Sequence, residues 1–180
     1  MEFNSATNEA HTARRVLIVG LGNLLRGDEG VGVHAARRLS GHWQDREGPV
    51  VLDGGTLGLS LIEPMADASA LALVDAVDLR AEPGRISVFV GAGMDRFLGG
   101  LKTRTAHDVN LVDLVHALRL LDGLPRFRAL IAIQPGSLEW GVELSEEVDA
   151  GLTRLPVLCE RLLACLRRRR EREHRCAARV

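Results

Sequence analysis

The chain has 180 residues, of which 46% are hydrophobic, and a formal net charge of -1, which predicts one folded domain with a well-filled core. No apolar run approaches the roughly 18 to 20 residues that cross a bilayer, and the polar N-terminus lacks the apolar stretch of a secretory signal. We therefore expect a soluble, cytoplasmic protein with no membrane partner. The chain contains no Tyr, so an aromatic platform for nucleic acid is not expected either.

The two ends of the chain differ in composition from its middle. Residues 1–14 are polar and unpatterned and are predicted to form a disordered leader, followed by a single domain over residues 15–166. Residues 167–180 form a basic C-terminal tail of net charge +5, which leaves -6 on the rest, and a solvated helix end explains it best. Three thiols, odd in number and without CxxC spacing, are expected to stay reduced: Cys159, Cys165 and Cys176.

The first half of the chain alternates strands with helices. Residues 16–19 are an apolar run typical of a buried strand, followed by a glycine turn and a helix that begins at Val31. A second strand ends at Asp53 and a third carries Asp75, and residues 57–68 between them predict a short amphipathic helix.

The second half adds two strands and two helices. Residues 84–90 predict a fourth strand, and its connection to the third is too short for a helical crossover, which indicates an antiparallel strand at one edge. The glycine-rich residues 91–108 are predicted to be a long loop, residues 109–121 a helix and residues 127–133 the last strand. A long helix should start at Ser145 and kink or break at Pro156. These elements predict an α/β protein with a mixed, mostly parallel five-stranded sheet.

The glycine turn "GLGNLLRGDEG" matches neither common phosphate-binding pattern. It lacks GxxxxGK[ST], and Leu25 stands where GxGxxG needs its third glycine. Asp28 and Glu29 place negative charge at the helix start that would receive a phosphate, although capping and the helix dipole are a simpler explanation for them. Asp53 sits where a ribose-binding acid would lie, so a nucleotide-binding module remains an alternative.

Three side chains can meet at the carboxyl edge of the sheet. Glu29 follows the first strand, Asp75 closes the third, and His107 lies in the long loop. Two carboxylates and one imidazole suit Ni, Zn, Mn or Fe, but spacing alone does not establish such a site. Ser60 lacks a GxSxG context and no Cys lies in a glycine turn, so hydrolysis would use activated water.

Five segments, in order, carry a family resemblance: "GLGNLLRGDEGVGVHAARRL", "VLDGGTLGLSLIEPM", "LALVDAVDL", "TAHDVNLVDLVHAL" and "IAIQPGSLEWGVELSEEV". Together they closely resemble the nickel-iron hydrogenase maturation endopeptidases. The resemblance implies a three-layer α/β/α sandwich. It also implies cleavage of a C-terminal extension from the precursor of a nickel-iron hydrogenase large subunit after nickel insertion.

The resemblance also assigns site residues. It implies a catalytic metal-binding trio of Glu29, Asp75 and His107, and nickel that the precursor holds or that binds transiently, with no nucleotide. It implies nickel or substrate recognition by Asp53, Gly54, Gly55 and Thr56. The metal either polarises the scissile carbonyl or activates water, with Asp28 or Asp53 shuttling a proton, or it serves as a recognition mark. The competing class is a non-catalytic nucleotide- or metallocentre-binding module of Rossmann-like fold.

Overall fold

The computed structural model describes residues 16–101 and 111–177. One five-stranded sheet organises the chain, with the spatial order β2-β1-β3-β5-β4. Strands β2, β1, β3 and β5 run parallel to one another, and β4 runs antiparallel to β5 at the edge. The mixed, mostly parallel sheet is thus confirmed. The strands are β1 (Val16–Leu21), β2 (Val50–Gly55), β3 (Ala70–Ala76), β4 (Ile86–Val90) and β5 (Phe127–Ile133).

Helices cover both faces of this sheet and complete the three-layer sandwich. Helices α1, α5 and α6 pack on one face, and α2, α3 and α4 pack on the other. Short 3-10 helices precede α1 and α2, at Gly27–Gly30 and Gly58–Leu61. The α-helices are α1 (Val31–Trp43), α2 (Ile62–Ala66), α3 (Ala92–Gly100), α4 (Leu111–Leu120), α5 (Glu146–Leu152) and α6 (Leu155–Ala177).

The sheet has an apolar core on each face because side chains alternate along each strand. In β3, Leu71 and Leu73 belong to the core under α2, α3 and α4, and Ala72 and Val74 to the core under α1, α5 and α6. Burial on both faces is what a central parallel strand requires. The first polar side chain of β3, Asp75, is only partly buried and comes where the strand reaches its carboxyl edge.

Helix α3 corrects the prediction of a continuous loop over residues 91–108. Its glycines and weak apolar pattern give no clear helical signal, but Met94 and Leu98 are fully or nearly fully buried against the sheet. The carboxylate of Asp95 also forms an ion pair with the guanidinium of Arg128 on β5. Tertiary packing therefore stabilises a helix that local propensity disfavours.

The C-terminal region contains the predicted break. Helix α5 ends at Leu152 and α6 begins at Leu155, so Pro156 lies in the first turn of α6, where a missing N–H costs nothing. Helix α6 continues to Ala177, so residues 167–177 are helical and the domain boundary at residue 167 remains a prediction. Strand β2 extends two residues beyond Asp53. The predicted leader, the end of the predicted loop and His107 lie outside the described residues.

A search of the described helices for membrane spans finds none that is long and apolar enough to cross a membrane.

Glycines let α1 pack directly on the strands. A Cβ atom on Gly32 would lie 2.1 Å from the carbonyl oxygen of Leu21 and 2.4 Å from that of Val74. A Cβ atom on Gly20 would lie 1.9 Å from the carbonyl oxygen of Gly32. These contacts show that the glycine pattern brings helix and strands together, which is a structural reason for it that involves no phosphate.

Gly32→Ala is expected to lower the free energy of unfolding by about 3 kcal/mol, because the atoms it meets are backbone atoms that cannot move aside. Gly41→Ala, in the same helix, is the matched control, since nothing lies within 4 Å of a Cβ atom there. The control should raise stability by about 0.5 to 1 kcal/mol through helix propensity. Urea unfolding followed by circular dichroism measures both, and equal effects of the two changes would contradict the packing argument.

Candidate functional site: an acidic cleft at the carboxyl edge

The loops that follow the four parallel strands surround a cleft of about 390 Å³. In α/β sheets of this kind, ligands bind outside the carboxyl ends of the strands. Five acidic or polar side chains line the cleft together with apolar ones, and they come from the end of β3 and from the loops after β1, β2 and β3. The lining residues include Asn23, Glu29, Thr56, Asp75, Asp78, Leu111, Leu114, Pro135 and Leu138.

Glu29 is held in this cleft by the turn after β1. It belongs to the 3-10 helix that leads into α1, and its side chain is partly exposed. Gly22, at φ +130°, packs so closely on this turn that a Cβ atom would lie 1.8 Å from the carbonyl oxygen of Glu29. The Nη1 atom of Arg26 lies 3.2 Å from Oε2 of Glu29. The glycine turn thus fixes the backbone of Glu29, and Arg26 neutralises part of its charge.

Asp75 lines the same cleft from the end of β3. Its Oδ1 atom accepts a hydrogen bond of 2.8 Å from the backbone N–H of Ala76. The pKa of Asp75 is raised to about 7, chiefly by burial and also by the negative charge of Glu29, against the opposing effect of that hydrogen bond. Glu29 and Asp75 therefore line one cleft, close enough for the charge of Glu29 to disfavour ionisation of Asp75.

This carboxylate pair fits a divalent cation. Two neighbouring carboxylates repel each other when both are ionised, whereas a bound cation attracts both of them. Oxygen ligands with an added imidazole suit the metals named from the sequence. Within residues 16–101 and 111–177, no group of three or more His, Cys, Asp or Glu side chains is arranged to hold a metal ion. His107, the predicted third ligand, lies in the gap between those ranges.

Asp75→Asn is expected to stabilise the metal-free protein at pH 8 by about 2 kcal/mol and to have little effect at pH 4. The folded-state pKa, about 7, lies above the ordinary value of 3.8, so the folded state binds the proton more tightly. The contribution of this carboxyl to stability is therefore complete below 3.8 and is lost as the pH rises through 7. Urea unfolding in the presence of a chelator at both pH values measures it, and equal stability of the two proteins at pH 8 would contradict it.

Asp28 is fully buried and holds two distant parts of the chain together. Oδ2 accepts hydrogen bonds from the backbone N–H groups of Gly136 and Ser137, at 2.7 and 2.8 Å, and from the Ser145 hydroxyl, at 2.8 Å. Oδ1 accepts one from the backbone N–H of Ser145 at 2.7 Å. Asp28 therefore anchors both ends of the loop after β5, residues 134–145.

These contacts correct two predictions about Asp28. It does not cap its own helix, because its carboxylate is occupied by donors from the loop after β5. It is also not the proton shuttle: burial opposes its ionisation, but the hydrogen bonds from Ser137, Ser145 and Gly136 outweigh burial and lower its pKa. Buried, ionised and fully hydrogen-bonded, Asp28 is a structural anchor beside Glu29.

The predicted recognition segment, residues 53–56, is divided by the bend at the end of β2. Gly55 and Thr56 line the cleft, and Gly55 adopts φ +41°. Asp53 is exposed and lies outside the cleft lining, with Oδ2 3.6 Å from Nε of Arg37 on α1. Gly54 is buried, and a Cβ atom there would lie 2.7 Å from Cγ1 of Val19. The roles assigned to these residues remain predictions.

Several lining residues were not found from the sequence. Asn23 lines the cleft and its Oδ1 accepts a 3.0 Å hydrogen bond from the backbone N–H of Leu25. Asp78 adds a third carboxylate, after β3, and Pro135 and Leu138 form the wall contributed by the loop after β5. The sequence analysis quoted the segments that contain these residues but assigned them no role, and position after a strand was the signal that could have found them.

The fold and the cleft define the class of protein: a three-layer α/β protein with paired carboxylates at the carboxyl edge of its parallel strands. A family model, HycI, described as hydrogenase maturation protease, matches residues 33–160, which is more than half of the chain. The chain belongs to this family of peptidases, whose members act on hydrogenase precursors, and the family resemblance is confirmed.

Named relatives and solved structures support the same family assignment. Hydrogenase 2 maturation protease of Escherichia coli K12 is 33% identical over 156 residues, which cover 85% of this chain and 91% of that protein. Hydrogenase expression/formation protein HupD of Bradyrhizobium diazoefficiens is 36% identical over 135 residues, 74% of this chain and 70% of that protein. The structure of hydrogenase maturating endopeptidase HybD from E. coli matches with a TM-score of 0.70 at 29% identity and covers 86% of this chain and 93% of that one. These comparisons give no support to a nucleotide-binding module.

Proposed function

We propose that this protein removes the C-terminal extension from the precursor of a nickel-iron hydrogenase large subunit after nickel insertion. The observation that carries the proposal is the pair of Glu29 and Asp75, which line one cleft in a member of the hydrogenase maturation protease family. The proposal places the reaction in the cytoplasm, where free thiols such as Cys159 and Cys165 stay reduced.

In this proposal, Glu29 and Asp75 bind nickel together with His107, and the nickel belongs to the precursor or binds transiently. Bound nickel would polarise the scissile carbonyl or lower the pKa of a water molecule. Two neighbouring residues of this chain orient these carboxylates. Arg26 holds one carboxylate oxygen of Glu29, and the backbone N–H of Ala76 holds one of Asp75.

The remaining assignments extend the same proposal. Gly55 and Thr56 contact the nickel-bearing part of the precursor from the β2 side of the cleft, which both of them line. Asp53 and Gly54 act indirectly, by holding the end of β2 in place. Residues 15–166 supply the peptidase, whose family model matches residues 33–160, and residues 167–180 lie outside it.

Purified protein incubated with nickel-loaded precursor tests the proposal. Mass spectrometry should show loss of a single C-terminal peptide from the nickel-loaded precursor and no loss from nickel-free precursor. A second series adds a chelator that strips free metal but leaves the nickel in the precursor. Continued cleavage there indicates that the precursor supplies the metal, and loss of cleavage indicates a metal bound by this protein. An uncut nickel-loaded precursor at stoichiometric enzyme would refute the proposed function.

A further inference from the structure

Four large apolar side chains are exposed on the two segments that Asp28 joins, the turn after β1 and the loop after β5. Trp140 is 81% exposed, Leu25 56%, Val142 48% and Leu138 46%. Single exposed apolar residues are ordinary on protein surfaces, but a contiguous exposed group marks an interaction site.

Backbone hydrogen bonds make this group contiguous. The N–H of Gly141 donates to the carbonyl oxygen of Leu25 at 3.0 Å, and the N–H of Gly27 donates to the carbonyl oxygen of Gly141 at 2.8 Å. These bonds form a parallel β-bridge between Arg26 and Gly141. Leu25 therefore lies beside the segment that carries Trp140 and Val142. We call the surface formed by Leu25, Leu138, Trp140 and Val142 the apolar rim.

The apolar rim is held rigidly. Asp28 anchors its loop at Gly136, Ser137 and Ser145, and Nε2 of His34 lies 3.1 Å from the carbonyl oxygen of Val142. A surface whose backbone is already ordered loses less conformational entropy when a partner binds, so more of its contact energy contributes to affinity.

The rim lies beside the cleft, and this position indicates which partner binds it. Leu138 belongs both to the rim and to the cleft that contains Glu29 and Asp75. A cleft of about 390 Å³ has room for a few residues around a scissile bond but not for a folded protein. A substrate that enters the cleft on the side of the loop after β5 therefore lies against the rim.

We propose that the apolar rim is the docking surface for the folded body of the precursor, which inserts its cleavage segment into the cleft and places an apolar surface pocket over Trp140. The inference rests on the proposed function. Stable protein complexes need roughly 1,000 Å² or more of buried surface, which the cleft alone cannot supply. An exposed Trp is also among the side chains that contribute most to such interfaces.

Trp140→Ala tests the docking surface, with Leu120→Ala as the matched control. Leu120 is 85% exposed, at the end of α4 away from the cleft-lining residue Leu111. Steady-state cleavage of the nickel-loaded precursor should show a KM about tenfold higher for Trp140→Ala with kcat changed less than twofold, because the lost contact is the same in ground and transition states. Leu120→Ala should match wild type in both constants, and circular dichroism should show all three proteins folded.

The outcomes separate the two proposals. An unchanged KM for Trp140→Ala, while wild type cleaves normally, overturns the docking surface and leaves the proposed function intact. An equal rise in KM for both variants overturns it as well, since the effect would not be specific to the rim. Sedimentation of the enzyme alone tests whether a second copy of this chain binds the rim instead. A wild-type dimer that becomes a monomer in the Trp140→Ala variant, with KM unchanged, overturns the proposal. A wild-type protein that leaves the precursor uncut refutes the function, and the docking surface with it.

Discussion

Glu29→Gln and Asp75→Asn are each expected to reduce cleavage of the nickel-loaded precursor by at least about a hundredfold while the protein stays folded. Each change keeps the size of the side chain but removes the negative charge that a cation needs. Both side chains are partly exposed at a cleft, so neither change leaves a cavity in the core. His107→Ala is expected to have the same effect if the family resemblance assigns the third ligand correctly.

The measurement is single-turnover cleavage, with the metal content of the enzyme and precursor determined before and after. Asp122→Asn is a suitable control because it changes the same functional group in the turn after α4, which does not line the cleft. It should cleave at the wild-type rate. Normal cleavage by both Glu29→Gln and Asp75→Asn would eliminate the carboxylate pair as the active site.

The same Asp75 substitution is predicted to have opposite effects on stability and activity. In the metal-free protein the partly buried carboxylate of Asp75 is unfavourable at pH 8, because burial and the charge of Glu29 raise its pKa to about 7. Replacing Asp75 with Asn therefore stabilises the metal-free protein and removes the proposed activity. Strain of this kind, tolerated where the site needs it, is typical of active sites.

Asp28→Ala is expected to lower the free energy of unfolding by about 4 kcal/mol, the second large effect. The substitution removes a fully buried carboxylate and leaves three backbone N–H groups and the Ser145 hydroxyl without their acceptor. Asp28→Asn keeps the size but turns an NH2 group toward these donors, so it should cost about 2 to 3 kcal/mol. Urea unfolding at pH 7 measures both.

Asp149→Ala is the control for Asp28→Ala. Asp149 pairs with Arg38 on the surface, and its side chain is 53% exposed, so its loss should cost less than about 1 kcal/mol. The pH dependence gives a second check. Because the pKa of Asp28 is lowered on folding, its stabilising effect is complete at neutral pH and is lost as the pH falls below 3.8. Equal losses for Asp28→Ala and Asp149→Ala would show that the buried network contributes no more than a surface ion pair.

The apolar periodicity of the sequence was sufficient to predict the sheet. The strands are short runs made mostly of Val, Ile, Leu and Ala, so their burial can be predicted without knowing which residues they contact. The connection after β3 is short, and this makes β4 antiparallel. The glycine turn also predicted that Glu29 lies at the carboxyl edge. Because parallel strands place their C-terminal ends together, the predicted topology allowed Glu29 and Asp75 to meet, and the family resemblance assigned them to one site.

Long-range contacts decided what sequence patterns could not. Helix α3 has glycines at Gly93, Gly99 and Gly100 and forms because Met94 and Leu98 bury against the sheet, which no local signal reveals. The sequence identified the family through its ordered motifs and the fold class through local periodicity, and it placed Glu29 and Asp75 at the same edge of the sheet. Only the tertiary structure could show that Asp28 accepts hydrogen bonds from residues more than 100 positions away, and that the loop it anchors carries an apolar surface beside the cleft. Partners so distant in sequence leave no periodic pattern, because they are selected by the packing of the whole sheet.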